Sequence, residues 1–165
     1  MSVFNAFVEQ NASGKDVDKD VAARSGGAVV KRILFSFEKV AADTDTSVWR
    51  VGKISPHAKI VSIKLSNDAL TGFTDLDIGL YKPLSVGGTV INKDCFKDGL
   101  NINAGLSTLT EEYAPAIADV GKEAWQIAAI DAADVDKYGE FDIALTGNTA
   151  GTAAGTISGI IEYVD

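Results

Sequence analysis

The chain has 165 residues, of which 46% are hydrophobic and 23% charged, and carries a formal charge of −8 from 23 acidic and 15 basic residues. That length suits one domain with an ordinary hydrophobic core and room for an extra arm, and the acidic balance argues against nucleic acid or an anionic membrane as partner, since phosphate neutralisation needs clustered Lys and Arg. No apolar run approaches the roughly 18 residues of a membrane-spanning helix, and the start, MSVFNAFVEQNASGKD, has neither the basic leader nor the apolar stretch of a secretory signal, so synthesis in a cytoplasm without export is expected.

Residues 1–28 differ from the rest. A small apolar cluster (Val3, Phe4, Phe7, Val8) precedes NASGKDVDKD and AARSGG, which are polar, small and weakly periodic. This predicts an extended arm whose apolar cluster docks on a neighbouring subunit or partner; the competing expectation is an element that covers one end of the core. Residues 29–165 form the predicted body. In VVKRILFSFEKV, Ile33, Phe35 and Phe37 alternate with Leu34, Ser36 and Glu38, the period of two of a half-buried strand. VWRVGKI (48–54) alternates again and stops near Pro56. KIVSIKL (59–65) puts Val61, Ile63 and Leu65 on one predicted face, with Ile60, Ser62 and Lys64 on the other. In TDLDIGLYK (74–82), Leu76, Ile78 and Leu80 oppose Asp75, Asp77, Gly79 and Tyr81.

A short strand is expected at 89–91. NKDCFKDG then predicts a helical turn, with Asn92 as N-cap and Gly99 as its stop. One or two short strands are expected within 100–110. Residues 111–120 are ambiguous, and 121–130, with Trp125, Ala128 and Ala129 at helical spacing, read as a short helix or an irregular strand. FDIAL (141–145) and TISGIIEYV (156–164) flank TGNTAGTAAG and predict a terminal hairpin. About eight short strands with Gly-rich turns and no βαβ alternation predict an all-β fold, a jelly-roll-like antiparallel sandwich with one or two short helices.

The chemistry on offer is sparse. One cysteine, Cys95, excludes an intrachain disulfide. One histidine, His57, nearly excludes a zinc site of His and Cys and leaves Cys95 with His57 as the one conceivable Cys–His pair. Asp16, Asp18 and Asp20 resemble the start of a calcium loop, but loop positions six and twelve hold Val21 and Gly27 where Gly and Glu are needed. Asp75 and Asp77 share a strand face; paired carboxylates serve glycoside hydrolysis, but here they are expected in the outward polar set. Trp49 and Trp125 could stack on sugars, though an isolated Trp in an alternating strand more often packs in a core or interface. Asn11-Ala12-Ser13 is a formal glycosylation sequon, expected to be unmodified without a signal peptide. GxSxG, P-loop, HExxH and CxxC motifs are all missing. No catalytic, metal or cofactor residue is therefore assigned, which suits a structural protein or binding module.

The stretch from Val48 to Lys82 resembles a block of the jelly-roll head decoration (cement) proteins of tailed bacteriophages. Its marks are Ile54-Ser55-Pro56-His57-Ala58-Lys59-Ile60, where a Pro and a small residue precede an apolar strand, the acidic loop Asn67-Asp68-Ala69-Leu70, and the strand Thr74 to Tyr81. INKDCF (91–96), the Trp125 segment and the final GTISGIIEYV also fit, so the resemblance spans roughly residues 30–165. It implies a non-enzymatic sandwich, a homotrimer on the capsid exterior that binds the major capsid protein and bridges capsomers. It brings no cofactor. The alternatives are a carbohydrate-binding or host-attachment module of the virion, which would expose Trp49 or Trp125 in a groove, and a head-fibre base or neck component.

Overall fold

The computed structural model describes residues 29–165. The apolar cluster Val3, Phe4, Phe7 and Val8, the sequon at Asn11 and the acidic run Asp16, Asp18 and Asp20 lie outside the described residues. The body has eight strands: β1 (Lys31–Lys39), β2 (Val48–Ile54), β3 (Lys59–Asn67), β4 (Phe73–Tyr81), β5 (Val90–Leu100), β6 (Leu106–Tyr113), β7 (Phe141–Ala150) and β8 (Gly155–Val164). One single-turn helix, α1 (Ala124–Ile127), and two short 3-10 turns, Leu84–Val86 and Ala132–Lys137, interrupt them.

The strands form two four-stranded sheets, ordered β1-β8-β3-β6 and β2-β7-β4-β5, and every described pairing is antiparallel. First pairs with last, second with seventh, third with sixth and fourth with fifth. This nesting is the jelly roll: a long antiparallel ribbon rolled into two facing sheets. The expected all-β sandwich is thus the observed fold. The expected terminal hairpin is not, because β7 pairs with β2 and β4 whereas β8 pairs with β1 and β3. Rolling sends these consecutive strands to opposite sheets. The tip between them is also shorter than expected, since β7 runs on to Ala150.

The core lies between the sheets. Ile63, Leu65, Ile157 and Ile161 face Leu76, Ile78, Leu80, Phe141, Ile143 and Leu145, all nearly inaccessible. Each such side chain contributes roughly 1.5–3 kcal/mol on burial. Aromatic rings close both open sides of the sandwich. On the β1–β2 side Phe37 stacks on Trp49 at 5.6 Å between ring centroids, and Trp49 leans on Phe73 at 6.0 Å. On the β5–β6 side Phe96 meets Tyr113 edge-on at 5.2 Å.

Three local readings are corrected. In β3 the register slips between Ile60, opposite Tyr163, and Ser62, opposite Glu162. This bulge at Val61 adds one residue and flips the alternation. Ile60 therefore enters the core and Val61 stays exposed, the reverse of the regular pattern. Residues 92–99 are not a helical turn but the middle of β5. Asn92 and Gly99, read as caps, instead lie in an irregular ladder, in which Ile78 pairs with Lys97 but Leu80 pairs with Asn92. The extra β5 residues fold over the outer face of β4 at Gly79, where a Cβ would collide with the backbone of Asn92 and Lys93. As a result Asp77, expected on an outward polar face, is only 1% exposed.

Between β6 and β7 the chain makes a long excursion, residues 114–140, that carries α1 and the second 3-10 turn. It is tied to the β2–β3 turn by main-chain bonds from Ala124 N to Ala58 O (2.8 Å) and Trp125 N to Pro56 O (3.2 Å). Ala124, Ala128 and Val135 anchor it with buried side chains.

Candidate functional site

The carboxylates Asp75 and Asp77 share one face of β4, as the alternation predicts, but they build a structural network. Asn148 on β7 bridges them, donating to Asp75 Oδ1 (2.9 Å) and Asp77 Oδ2 (2.6 Å). The main-chain N–H of Gly99 donates to Asp77 Oδ1 at 3.0 Å, and Lys93 Nζ lies 3.0 Å from Oδ2. Burial works to raise the Asp77 pKa, but the hydrogen bonds from Asn148 and Gly99 and the Lys93 ammonium together hold it below its ordinary value. A general acid would need the opposite shift.

Beside this network, Arg50 on β2 straps down the β4–β5 connection. Its guanidinium donates to Asp142 Oδ2 (2.5 Å), Lys82 O (3.0 Å) and Gly88 O (2.6 Å), and stacks over Tyr81 at 5.2 Å. The Tyr81 hydroxyl in turn bonds Thr146 at 2.7 Å. The periodicity of β4 and β7 could not reveal this layer, because it exists only once β5 and the 82–89 connection cover the sheet.

His57 and Cys95 are not brought together as a reactive pair. The ring nitrogens of His57 meet Glu123 Oε2 at 2.7 Å and Asp136 Oδ1 at 3.0 Å. Cys95 sits in the irregular part of β5, and burial pushes its thiol up to about 12, so it is a poor nucleophile. Among the described residues no group of three or more His, Cys, Asp or Glu side chains could hold a metal ion.

Both tryptophans pack against other side chains. Trp49 has Phe37 against it on one side and Phe73 on another. Trp125 packs on the core and donates its indole N–H to Glu123 Oε2 at 2.6 Å. The surface hollows are shallow. One, about 480 Å³, is a trough between β1 and β2 lined by Leu34, Phe35, Phe37, Val48, Trp49 and Val51 with Ser36 and Arg50. A smaller one of about 210 Å³ lies under the excursion, beside Ile91, Ala128, Tyr138 and Phe141. Converging polar groups of the kind that orient a substrate are missing from the trough.

What the described surface does show is single apolar side chains held out to solvent. Leu34 on β1, Leu84 in the first 3-10 turn, and Ile117 and Val120 at the start of the excursion are each at least two-thirds exposed. No helix among the described residues is long and apolar enough to cross a membrane.

No protein-family model matches the chain, and no curated protein matches it in sequence. Among solved structures, a chain of the capsid of Ralstonia phage GP4 superposes with a TM-score of 0.55 and 17% identity, over 85% of each chain. The fold is one found in a phage capsid. A chain of the cyanophage Pam1 capsid asymmetric unit aligns at TM-score 0.49 and 12% identity, over 99% of this chain and 97% of that one. The superposition on the GP4 capsid chain gives the jelly roll expected from the resemblance to phage head proteins a solved counterpart. Identity of this order means that the shared feature is the backbone arrangement of the sheets, which many different side-chain sets can build.

Proposed function

We propose that this protein is a structural, non-enzymatic part of a phage virion, and within that class a decoration (cement) subunit bound to the outside of the assembled head. The observation that carries the reading is the jelly-roll body that superposes on a phage capsid chain over most of both lengths. It is supported by polar residues that lock the fold together in place of forming a cleft.

The physical task of such a subunit is to bind the closed lattice better than separated capsomers. That difference stabilises the shell by mass action. A trimer multiplies weak contacts by avidity, and an acidic surface keeps the unbound protein soluble at high copy number. In this reading the partners are the major capsid protein and further copies of this chain. The apolar arm residues Val3, Phe4, Phe7 and Val8 supply part of the contact.

The test is reconstitution. Purified protein is mixed with mature heads that lack it, and bound copies and the temperature of DNA release are measured. Saturable binding with later release supports the cement role, whereas binding to glycans with no binding to heads moves the protein to host attachment. Sedimentation equilibrium distinguishes trimer from monomer. Removing residues 2–27 weakens head occupancy if the arm makes contact; unchanged occupancy and unchanged oligomer size remove the arm from the mechanism.

A further inference from the structure

His57 occupies an unusual position. It stands in the β2–β3 turn, and its ring is held between two carboxylates of the 114–140 excursion. Nδ1 faces Glu123 Oε2 at 2.7 Å, and Nε2 faces Asp136 Oδ1 at 3.0 Å. Glu123 is the N-cap of α1, where its side chain also takes part in a capping box with Gln126 and accepts the Trp125 indole N–H. Asp136 lies in the second 3-10 turn. One ring therefore pins two separate pieces of the excursion to the body.

The chemistry of this contact depends on one proton. An ionised carboxylate only accepts hydrogen bonds, whereas a neutral imidazole has one N–H and one bare acceptor nitrogen. With both nitrogens facing carboxylates, a neutral ring can satisfy one partner and must present a lone pair to the other. The doubly protonated ring satisfies both. We propose that His57 is a protonation-dependent clamp on the β6–β7 excursion, closed when the ring carries both protons and loosened when it loses one.

The charged groups around the ring agree. Glu123 comes from α1, Asp136 from the 3-10 turn, and Lys59, at the start of β3, acts on Glu123 from the body. Hydrogen bonding to Asp136, and then to Glu123, raises the His57 pKa above its ordinary value of 6.5 against a smaller desolvation effect. Glu123 is correspondingly lowered, first by His57 and then by the Trp125 N–H. A raised pKa means that the clamp's contribution is complete below the ordinary histidine range and fades as pH rises through the folded-state value. The ring is half exposed, so loosening is partial: Ala128 and Val135 stay buried, while the main-chain bonds of Ala124 and Trp125 to the β2–β3 turn open more often.

Native-state hydrogen exchange on the full chain tests this, with protection factors corrected for intrinsic exchange and His57 titrated in parallel by NMR. The Ala124 and Trp125 amides, which bond Ala58 O and Pro56 O, lose protection severalfold as His57 deprotonates. In H57Q the step vanishes and protection stays at the low level. In D136N the step shrinks and the His57 midpoint moves down. Constant protection in the unaltered protein across the His57 titration overturns the proposal without recourse to any variant, and so does an undiminished step in H57Q.

Discussion

Replacing Asp77 by Asn is the sharpest test of the covered polar layer on the second sheet. The side chain keeps its size, but one carboxylate oxygen becomes an NH₂ group. In one orientation that group faces the donors Asn148 Nδ2 and Lys93 Nζ; in the other it faces the N–H of Gly99. Either way a donor meets a donor at a position with 1% exposure. Lys93 is partly exposed and can turn to water, so the cost is concentrated on Asn148 and the Gly99 amide. Unsatisfied buried groups cost about 1–3 kcal/mol each, and breaking a fully buried pair costs about 3–5 kcal/mol, so D77N is expected to lose about 2–4 kcal/mol. For a body of this size that is about 6–12 °C in Tm. Urea denaturation and calorimetry of both proteins measure it, with K93A as a control that loses much less. The pH dependence gives an independent check. The Asp77 pKa is lowered in the fold from an ordinary value of 3.8. Its contribution is therefore present above that value and is lost as pH falls through the folded-state value. The stability gap between the proteins should narrow in acid. A D77N protein as stable as the original at neutral pH would refute the view that this network holds β4, β5 and β7 in register.

Three further outcomes follow from the same packing. Gly79→Ala drives a methyl into the backbone of Asn92 and Lys93; overpacking of this kind costs about 1–3 kcal/mol or more, read as a drop in urea midpoint with faster exchange along β5. Trp49→Ala removes the ring between Phe37 and Phe73 and is expected to cost about 3–5 kcal/mol with no change in glycan-array signal; a soluble, fully stable variant that loses glycan binding would reverse the assignment of Trp49 to packing. Cys95, with its thiol pushed up to about 12 by burial, should resist iodoacetamide at mildly alkaline pH in the folded protein and react quickly in urea, which mass spectrometry follows.

The strands themselves were legible from alternation. β1 and β4 follow the period of two, and Ile33, Phe35, Phe37, Leu76, Ile78 and Leu80 all point inward as predicted. Alternation fails where a residue is added, and the bulge at Val61 exchanged the roles of Ile60 and Val61 with nothing in KIVSIKL to announce it. The reading of 92–99 as a helical turn failed for a related reason. Asn, Asp and Gly favour caps and turns when judged locally, yet the same residues suit a strand that must leave the ladder and cross over Gly79. The sites were less legible still. The aspartates of β4 were visible as a pair, but Asn148, Lys93 and the Gly99 amide that bind Asp77 lie up to about seventy residues away in the chain.

From the order of its residues alone, this chain determines an acidic body of short strands, one thiol, one imidazole, and none of the familiar catalytic motifs. Those properties depend on composition and on spacing within a few residues, so they survive without knowledge of the fold. Only the tertiary structure decides which strands are neighbours, that β7 and β8 part to opposite sheets, and that His57 lies between Glu123 and Asp136. Apart from the β4–β5 and β3–β6 pairings, these are contacts across sixty or more residues, set by how the ribbon rolls to bury its apolar face, and no local pattern encodes the partner at the far end.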